Sequence, residues 1–142
     1  MLHKKQAFTL LEDICEINQT HWHNPRGSYN PEAGATLLVE EALEAVGVDD
    51  AKNLARSIVS DAPAQTIADV DYFDAMLDTI YVAVGELHKL GLRPSQIVDG
   101  LQIVHNANSS KPGDKDSEGK VTKPDGFVGP EVKLQLLLDQ RT

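Results

Sequence analysis

The feature that most constrains the fold is a series of apolar stripes at helical spacing, bounded by proline and glycine residues. Asn30 followed by Pro31 is a favoured N-cap and first-turn pair, and Gly47 stands where a C-terminal glycine is expected. Gly91 and Pro94 separate two further apolar segments in the same way. No segment shows the alternating pattern of a β-strand. The sequence therefore predicts an all-α fold.

The predicted helices form a bundle of about four to five core helices, followed by a long C-terminal loop and a short last helix. They cover about residues 4–20, 31–46, 50–60, 66–90 and 94–107, and the last helix starts at Pro130. In the third helix, Leu54, Ile58 and Val59 are expected to face inward. Residues 109–130 are rich in Gly, Lys, Asp, Ser and Pro, which is typical of a functional or mobile loop. A chain of 142 residues fits a single domain, residues 1–142.

Composition narrows the classes of function. Thirteen Lys and Arg against 22 Asp and Glu give a formal net charge of −9, which disfavours binding to nucleic acid because the two polyanions would repel. No apolar run approaches the roughly 20 residues needed to span a bilayer, so we expect no membrane partner and a cytoplasmic location. Cys15 is the only cysteine, which rules out a disulfide or a cysteine-based zinc site within one chain.

The second predicted helix carries a cluster of glutamates. Glu40, Glu41 and Glu44 form an E-E-x-x-E arrangement that places them at neighbouring positions of one helix face. Their mutual repulsion is only about 0.2–0.5 kcal/mol per pair, so a solvated acidic face could tolerate it. Alone, this pattern is consistent with either a solvated surface or a metal site.

The fourth predicted helix carries a second acidic stripe. Asp71, Asp74 and Asp78 follow the i, i+3, i+7 spacing and share one side of the helix. Apolar residues border this stripe and form a second face, so we expect the helix to be covered on most sides. Carboxylates in such a setting must be paired, protonated or bound to a cation. The residues assigned to solvent are Tyr72, Thr79 and Glu86.

Two explanations compete for these acids. They could pair with lysines and arginines from elsewhere, but only 13 such residues exist and several lie in the loop near 111–123. Alternatively, two acidic helix faces that meet in a bundle form an all-oxygen site, which suits Mg²⁺ or Mn²⁺ and not zinc or copper. Hard cations of this kind generally bridge phosphates, so the metal interpretation points to a phosphorylated ligand.

The long loop supplies cations that suit such a ligand. Lysine is a usual point-charge partner of phosphate oxygens, and a flexible basic loop could close on a polyphosphate. Lys111 and Lys123 are the favoured phosphate contacts. Lys115 and Lys120 are interleaved with acidic residues and fit a solvated loop equally well.

Three segments of the chain carry a resemblance to a known family. They are Leu38 to Glu44 (LVEEALE), Asp74 to Tyr81 (DAMLDTIY), and Val104 to Lys111 (VHNANSSK) followed by Gly119 to Gly126 (GKVTKPDG). Their order and spacing resemble the all-α, MazG-like nucleoside triphosphate pyrophosphohydrolases, which include phosphoribosyl-ATP pyrophosphohydrolases and a dimeric dUTPase-like branch. The resemblance runs from about residue 35 to 131 and implies one MazG-like domain.

The resemblance also implies roles for individual residues. The positions that match metal-holding or water-activating ones are Glu40, Glu41, Glu44 and Asp78, and those that lie near substrate are Asn108, Lys111 and Lys123. His105 is a further candidate for substrate contact, although a purely structural hydrogen bond at a helix end is slightly favoured. The family's second motif is E-x-x-D, but Ala75 stands three residues before Asp78. Asp74, one place earlier, is the expected substitute as a metal ligand.

The function that follows is Mg²⁺-dependent (or Mn²⁺-dependent) hydrolysis of a ribo- or deoxynucleoside triphosphate to monophosphate and pyrophosphate, with Glu40 or Glu41 orienting or deprotonating the attacking water. A homodimer or dimer of dimers is implied by the resemblance and agrees with the doubly apolar fourth helix. One alternative is a phosphoribosyl-ATP-type enzyme. The other is a non-catalytic helical dimerisation or regulatory module, which Ala75 favours. The base, the sugar and the catalytic glutamate stay open.

Overall fold

The computed structural model describes residues 2–63, 65–117 and 119–141. Within these ranges the chain forms α-helices, one π-helical turn and no β-strand, and a single antiparallel bridge joins Lys115 to Val121. The all-α prediction is confirmed. The helices are α1 (Leu2–Glu16), α2 (Pro31–Glu44), α3 (Ala51–Asp61), α4 (Asp69–Lys89), α5 (Pro94–Ser109) and α6 (Glu131–Leu138).

The predicted start of α2 is confirmed, because Asn30 and Pro31 behave as their chemistry requires. The side chain of Asn30 accepts a hydrogen bond from the backbone N–H of Ala33 at 3.2 Å, and Pro31 opens α2. Gly47 and Gly91 adopt positive φ angles of 75° and 100°, which lets the backbone turn away after α2 and α4. The fourth helix begins at Asp69 and not at Thr66, because the backbone before it is extended.

The segment that follows α1 folds back toward the rest of the chain. A π-helical turn spans Ile17–His21, and the backbone N–H groups of Trp22 and Asn24 bond back into it. His23 then adopts a φ of 54°, in the left-handed region. The predicted loop between α1 and α2 is confirmed, and its turn brings His21 and Asn24 beside the long loop.

Helices α2 and α3 form the closest pair in the chain. Their contact uses the small residues Ala51 and Ala55, which are 5% and 0% exposed. The expectation that Leu54 and Ile58 face inward is wrong, since they are 42% and 45% exposed. Alanines allow the two helix backbones to approach more closely than the larger apolar side chains would. Leu54 and Ile58 lie beside the alanines on the same side of α3 but stay outside this close contact.

The remaining packing centres on α5. Helices α1, α4 and α6 each contact it, and Leu10 of α1 is fully buried. Gln96 anchors the start of α5, because its side-chain oxygen accepts from the Arg93 N–H at 3.0 Å and its amide donates to the carbonyl of Gln140 at 3.4 Å. Over the described residues, none of the helices combines the length and apolar character needed to cross a membrane.

Helix α4 departs from its expected environment. None of its residues is buried, and its large apolar side chains, such as Phe73 and Ile80, are about 60% exposed. The expectation that this helix is covered on most sides is wrong for the single chain. Tyr72, which was expected to face solvent, instead packs against Tyr29 with ring centroids 4.9 Å apart. The Tyr72 hydroxyl also lies close to Gly34: a Cβ atom at that position would be only 2.8 Å from it.

Candidate active site

The most buried acidic side chain among the described residues is Glu40. It is 5% exposed and lies one helical turn after the buried Thr36, on the α2 face that is covered by the rest of the fold. Glu41 and Glu44, its neighbours in the acidic cluster, are exposed. A buried carboxylate requires a cation or hydrogen-bond donors, since leaving it charged and unpaired costs several kcal/mol.

Lys120 of the long loop supplies that cation. Its ammonium lies 2.8 Å from Glu40 Oε1 and 3.4 Å from Glu41 Oε1, so one positive charge bridges two adjacent carboxylates. Burial lowers the pKa of Lys120, but the hydrogen bond to Glu40 and the charges of both glutamates outweigh burial and raise the pKa above its ordinary value. The lysine is therefore held in its charged form.

Polar contacts fasten the turn that carries Lys120, which we call the clamp turn (residues 115–117 and 119–121). Lys52 of α3 pairs with Asp116 at 2.7 Å, and Lys115 Nζ donates to the backbone carbonyl of His23 at 3.2 Å and to the side chain of Asn24. The backbone N–H groups of Asp116 and Thr122 donate to Lys120 and Asp114 carbonyls, both at 2.9 Å. The clamp turn is thus tied both to α3 and to the segment after α1.

Lys111 and Lys123, the predicted phosphate contacts, lie on the same aromatic ring. Their ammonium groups are 5.3 and 6.0 Å from the centroid of Phe127. Burial, followed by the positive charges of Lys123 and Lys120, lowers the pKa of Lys111. Positive charge thus gathers beside Glu41, where an anionic ligand would relieve its repulsion.

The acids of α4 are separated from those of α2 by an open cleft of about 1020 Å³. Glu41 and Asp78 both line it, among apolar side chains that include Leu38 and Val82. Asp74 lies one turn before Asp78 on the same helix and is exposed. The structure therefore places Glu41 and Asp78 on one cavity.

Two of the expected metal ligands are already paired with a lysine. Glu40 and Glu41 share the ammonium of Lys120, and their carboxylate oxygens are the donors that Mg²⁺ or Mn²⁺ prefers. These two residues fit a hard cation by donor type. Over residues 2–63, 65–117 and 119–141, no three His, Cys, Asp or Glu side chains converge closely enough to hold an ion.

The two remaining candidates lie at the C-terminal end of α5, and both are partly buried. The carbonyl of Asn108 accepts from the backbone N–H of Lys111 at 3.1 Å, which fixes the start of the long loop. The carbonyl of His105 accepts from the Ser109 hydroxyl at 2.7 Å. The imidazole of His105 makes no hydrogen bond within the described part of the chain.

Sequence reasoning gave too little weight to Lys120, which is the lysine that reaches the glutamates. Its acidic sequence neighbours suggested local charge balance, yet Asp116 pairs with Lys52 and leaves Lys120 directed at Glu40. His21 is a second group that was not selected. Its Nε2 lies 2.7 Å from the carbonyl oxygen of Lys111 and ties the long loop to the end of the π-helical turn. The separation of His21 and Lys111 in sequence leaves no local signal for this contact.

The sequence of the chain matches one protein family. The sequence profile of phosphoribosyl-ATP pyrophosphohydrolase matches residues 14–108, about two thirds of the chain. The matched region contains both acidic stripes and ends before the lysines of the long loop. Neither the curated proteins nor the solved structures provide a match. Since the family profile covers well over half of the chain, this protein belongs to the phosphoribosyl-ATP pyrophosphohydrolase family, within the MazG-like all-α superfamily, and is a pyrophosphohydrolase.

Proposed function

We propose that this chain is a Mg²⁺- or Mn²⁺-dependent enzyme that hydrolyses nucleoside triphosphates to monophosphate and pyrophosphate. The observation that carries the proposal is the meeting of opposite charges beside Glu41, which lines the cleft. Glu40 and Glu41 lie against Lys120, the charges of Lys120 and Glu41 act on the pKa of Lys111, and Asp78 lines the same cavity as Glu41. Carboxylates for a cation and ammonium groups for a polyphosphate are what metal-assisted phosphoanhydride cleavage requires.

The glutamates of α2 have different roles in the proposed reaction. Glu40 and Glu41 would hold the cation, and Glu44, Asp74 and Asp78 are proposed as further ligands that would have to approach it, because no three of these carboxylates converge in the described structure. The bound cation would neutralise the triphosphate and lower the pKa of a bound water. Glu41 lines the cleft and its side chain is 64% exposed, so it is the better placed glutamate to orient or deprotonate water for attack on the α-phosphorus. Glu40, almost fully buried, anchors the positive charge.

The lysines act on the leaving pyrophosphate. Lys111 and Lys123 gather over Phe127 with no acidic partner of their own among the described residues, so a triphosphate tail would satisfy both. Their charges would stabilise the negative charge that develops on the departing phosphates. His105 and Asn108, at the end of α5, are proposed as further contacts to the nucleotide.

Phosphoribosyl-ATP is the second candidate substrate, because it gives the matching family its name. It carries the same triphosphate and releases the same pyrophosphate, so the proposed chemistry is unchanged. The test is pyrophosphate release with Mg²⁺ from ribo- and deoxynucleoside triphosphates and from phosphoribosyl-ATP, with ³¹P NMR of the products. Inorganic phosphate with a diphosphate would contradict attack at the α-phosphorus. No product from any of them would favour a non-catalytic module.

We also propose that the chain works as a homodimer or a dimer of dimers. It exposes 10271 Å², whereas a compact monomer of this mass exposes roughly 7200 Å². Large apolar side chains on α4, a helix with no buried residue, contribute to this exposed area. A difference of this size is within the area that obligate homodimers cover, and a second copy of the chain is the proposed occupant.

A further inference from the structure

Lys120 occupies carboxylate oxygens of Glu40 and Glu41 that a divalent cation would also use. Lys120 Nζ lies 2.8 Å from Glu40 Oε1, and Glu40 is almost fully buried, so its carboxylate has few free approaches. A divalent cation would sit about 2.1 Å from a carboxylate oxygen. Two cations that share one buried carboxylate repel strongly at such separations. The ammonium and a divalent cation are therefore competitors for Glu40.

The clamp turn allows Lys120 to leave without unfolding. The turn is held through other side chains, by Lys52 on Asp116 and by Lys115 on His23 and Asn24. Lysine carries its charge on a flexible four-carbon stem, so the ammonium can move several ångströms while the backbone stays anchored. Lys111 and Lys123 lie over the Phe127 ring, and an anion bound by them would attract the released ammonium.

We infer that Lys120 is an exchangeable counter-ion: it neutralises Glu40 and Glu41 in the metal-free protein and is displaced when a divalent cation binds. The released ammonium then joins Lys111 and Lys123 on the phosphates. This inference rests on the proposed function for its metal and its anion. It makes Lys120 a positioning residue, which pairs with the buried Glu40 until the metal arrives.

The test compares Lys120→Met with Lys123→Met, which removes the same charge from the same loop without touching a glutamate. Mn²⁺ affinity is measured by calorimetry on the full chain, and thermal unfolding is followed in EDTA. We expect Lys120→Met to bind Mn²⁺ about tenfold more tightly than the wild type and to unfold at a lower temperature without metal. We expect Lys123→Met to change Mn²⁺ affinity by about twofold or less, because its charge is exposed and screened.

A second variant keeps the inference testable if Lys120→Met does not fold. Lys52→Met removes the Asp116 anchor and loosens the clamp turn, so it should tighten Mn²⁺ binding by about threefold. Equal Mn²⁺ affinities in the wild type and both of these variants would overturn the inference, whether or not nucleotides are hydrolysed. If both variants bind Mn²⁺ more tightly but the wild type releases no pyrophosphate, the exchange is supported and the proposed function is overturned.

Discussion

The two acidic helices of this protein have opposite environments in the same chain. On α2, Glu40 is buried and paired with a lysine from the clamp turn, so folding of the chain itself completes its surroundings. On α4, Asp74 and Asp78 are exposed, and so are the apolar residues beside them. The α2 half of the candidate site is therefore assembled by the chain alone. The α4 half lies on a surface that we propose is covered by a second copy of the chain.

The largest effect should come from removing one acid from each acidic helix. Glu44→Gln and Asp78→Asn should each reduce turnover by about a hundredfold or more, because each removes a proposed metal ligand. Circular dichroism should show an intact fold, and stability without metal should be unchanged or higher because clustered charge is relieved. Near-normal turnover of either variant at saturating Mg²⁺ would break the two-helix site.

The exposure of α4 yields the next prediction. Replacing Phe73 and Ile80 together by Asp should convert the proposed dimer to monomer, since both lie on one apolar stripe of the helix. Light scattering coupled to size exclusion measures the mass directly. Ser57→Asp, on the exposed side of α3, is the matched control and should leave the mass unchanged. A wild-type chain that is monomeric at all concentrations would contradict the proposed role of α4.

Two lysines of the long loop are expected to have different roles: Lys115 stabilises the loop, and Lys123 contacts the substrate. Lys115→Ala should lower stability by about 1 kcal/mol, because it removes the bonds to His23 and Asn24 that tie down the clamp turn. Lys123→Ala should leave stability nearly unchanged and weaken substrate binding, seen as a raised KM or lower turnover. Thermal unfolding and steady-state kinetics on both variants distinguish the two roles. The interpretation fails if Lys115→Ala is the more impaired in KM.

The smallest effect concerns motion of the long loop. Its glycines and its few apolar side chains predict that residues 109–130 are mobile without ligand and become ordered with nucleotide and Mg²⁺. The contacts of Lys115 with His23 and of Lys52 with Asp116 hold the clamp turn in place. We therefore expect its amide hydrogens to exchange more slowly than those of residues 122–130. Hydrogen exchange with and without a non-hydrolysable nucleotide would measure both. Equal protection in the two states would rule out a closing loop.

Most of the local structure could be predicted because its causes lie within a few residues. The cap at Asn30, the first-turn Pro31 and the positive φ of Gly47 each act within one helical turn, and each was found where expected. Helix faces were harder to predict. Leu54 and Ile58 have the pattern of a core stripe, but the smaller Ala51 and Ala55 form the contact with α2, since helix spacing depends on the partner as well as the pattern.

The existence of the helices and the positions of the two acidic stripes could be predicted from the sequence, because periodicity and capping are local properties. The tertiary structure was needed to show which lysine meets which glutamate. Lys120 and Glu40 are 80 residues apart, and their pairing depends on the path of the long loop, on which Asp116 pairs with Lys52. It also decided that Glu40 is buried while Asp78 is exposed. Burial is set by what packs against a helix, and no pattern within one helix contains that information.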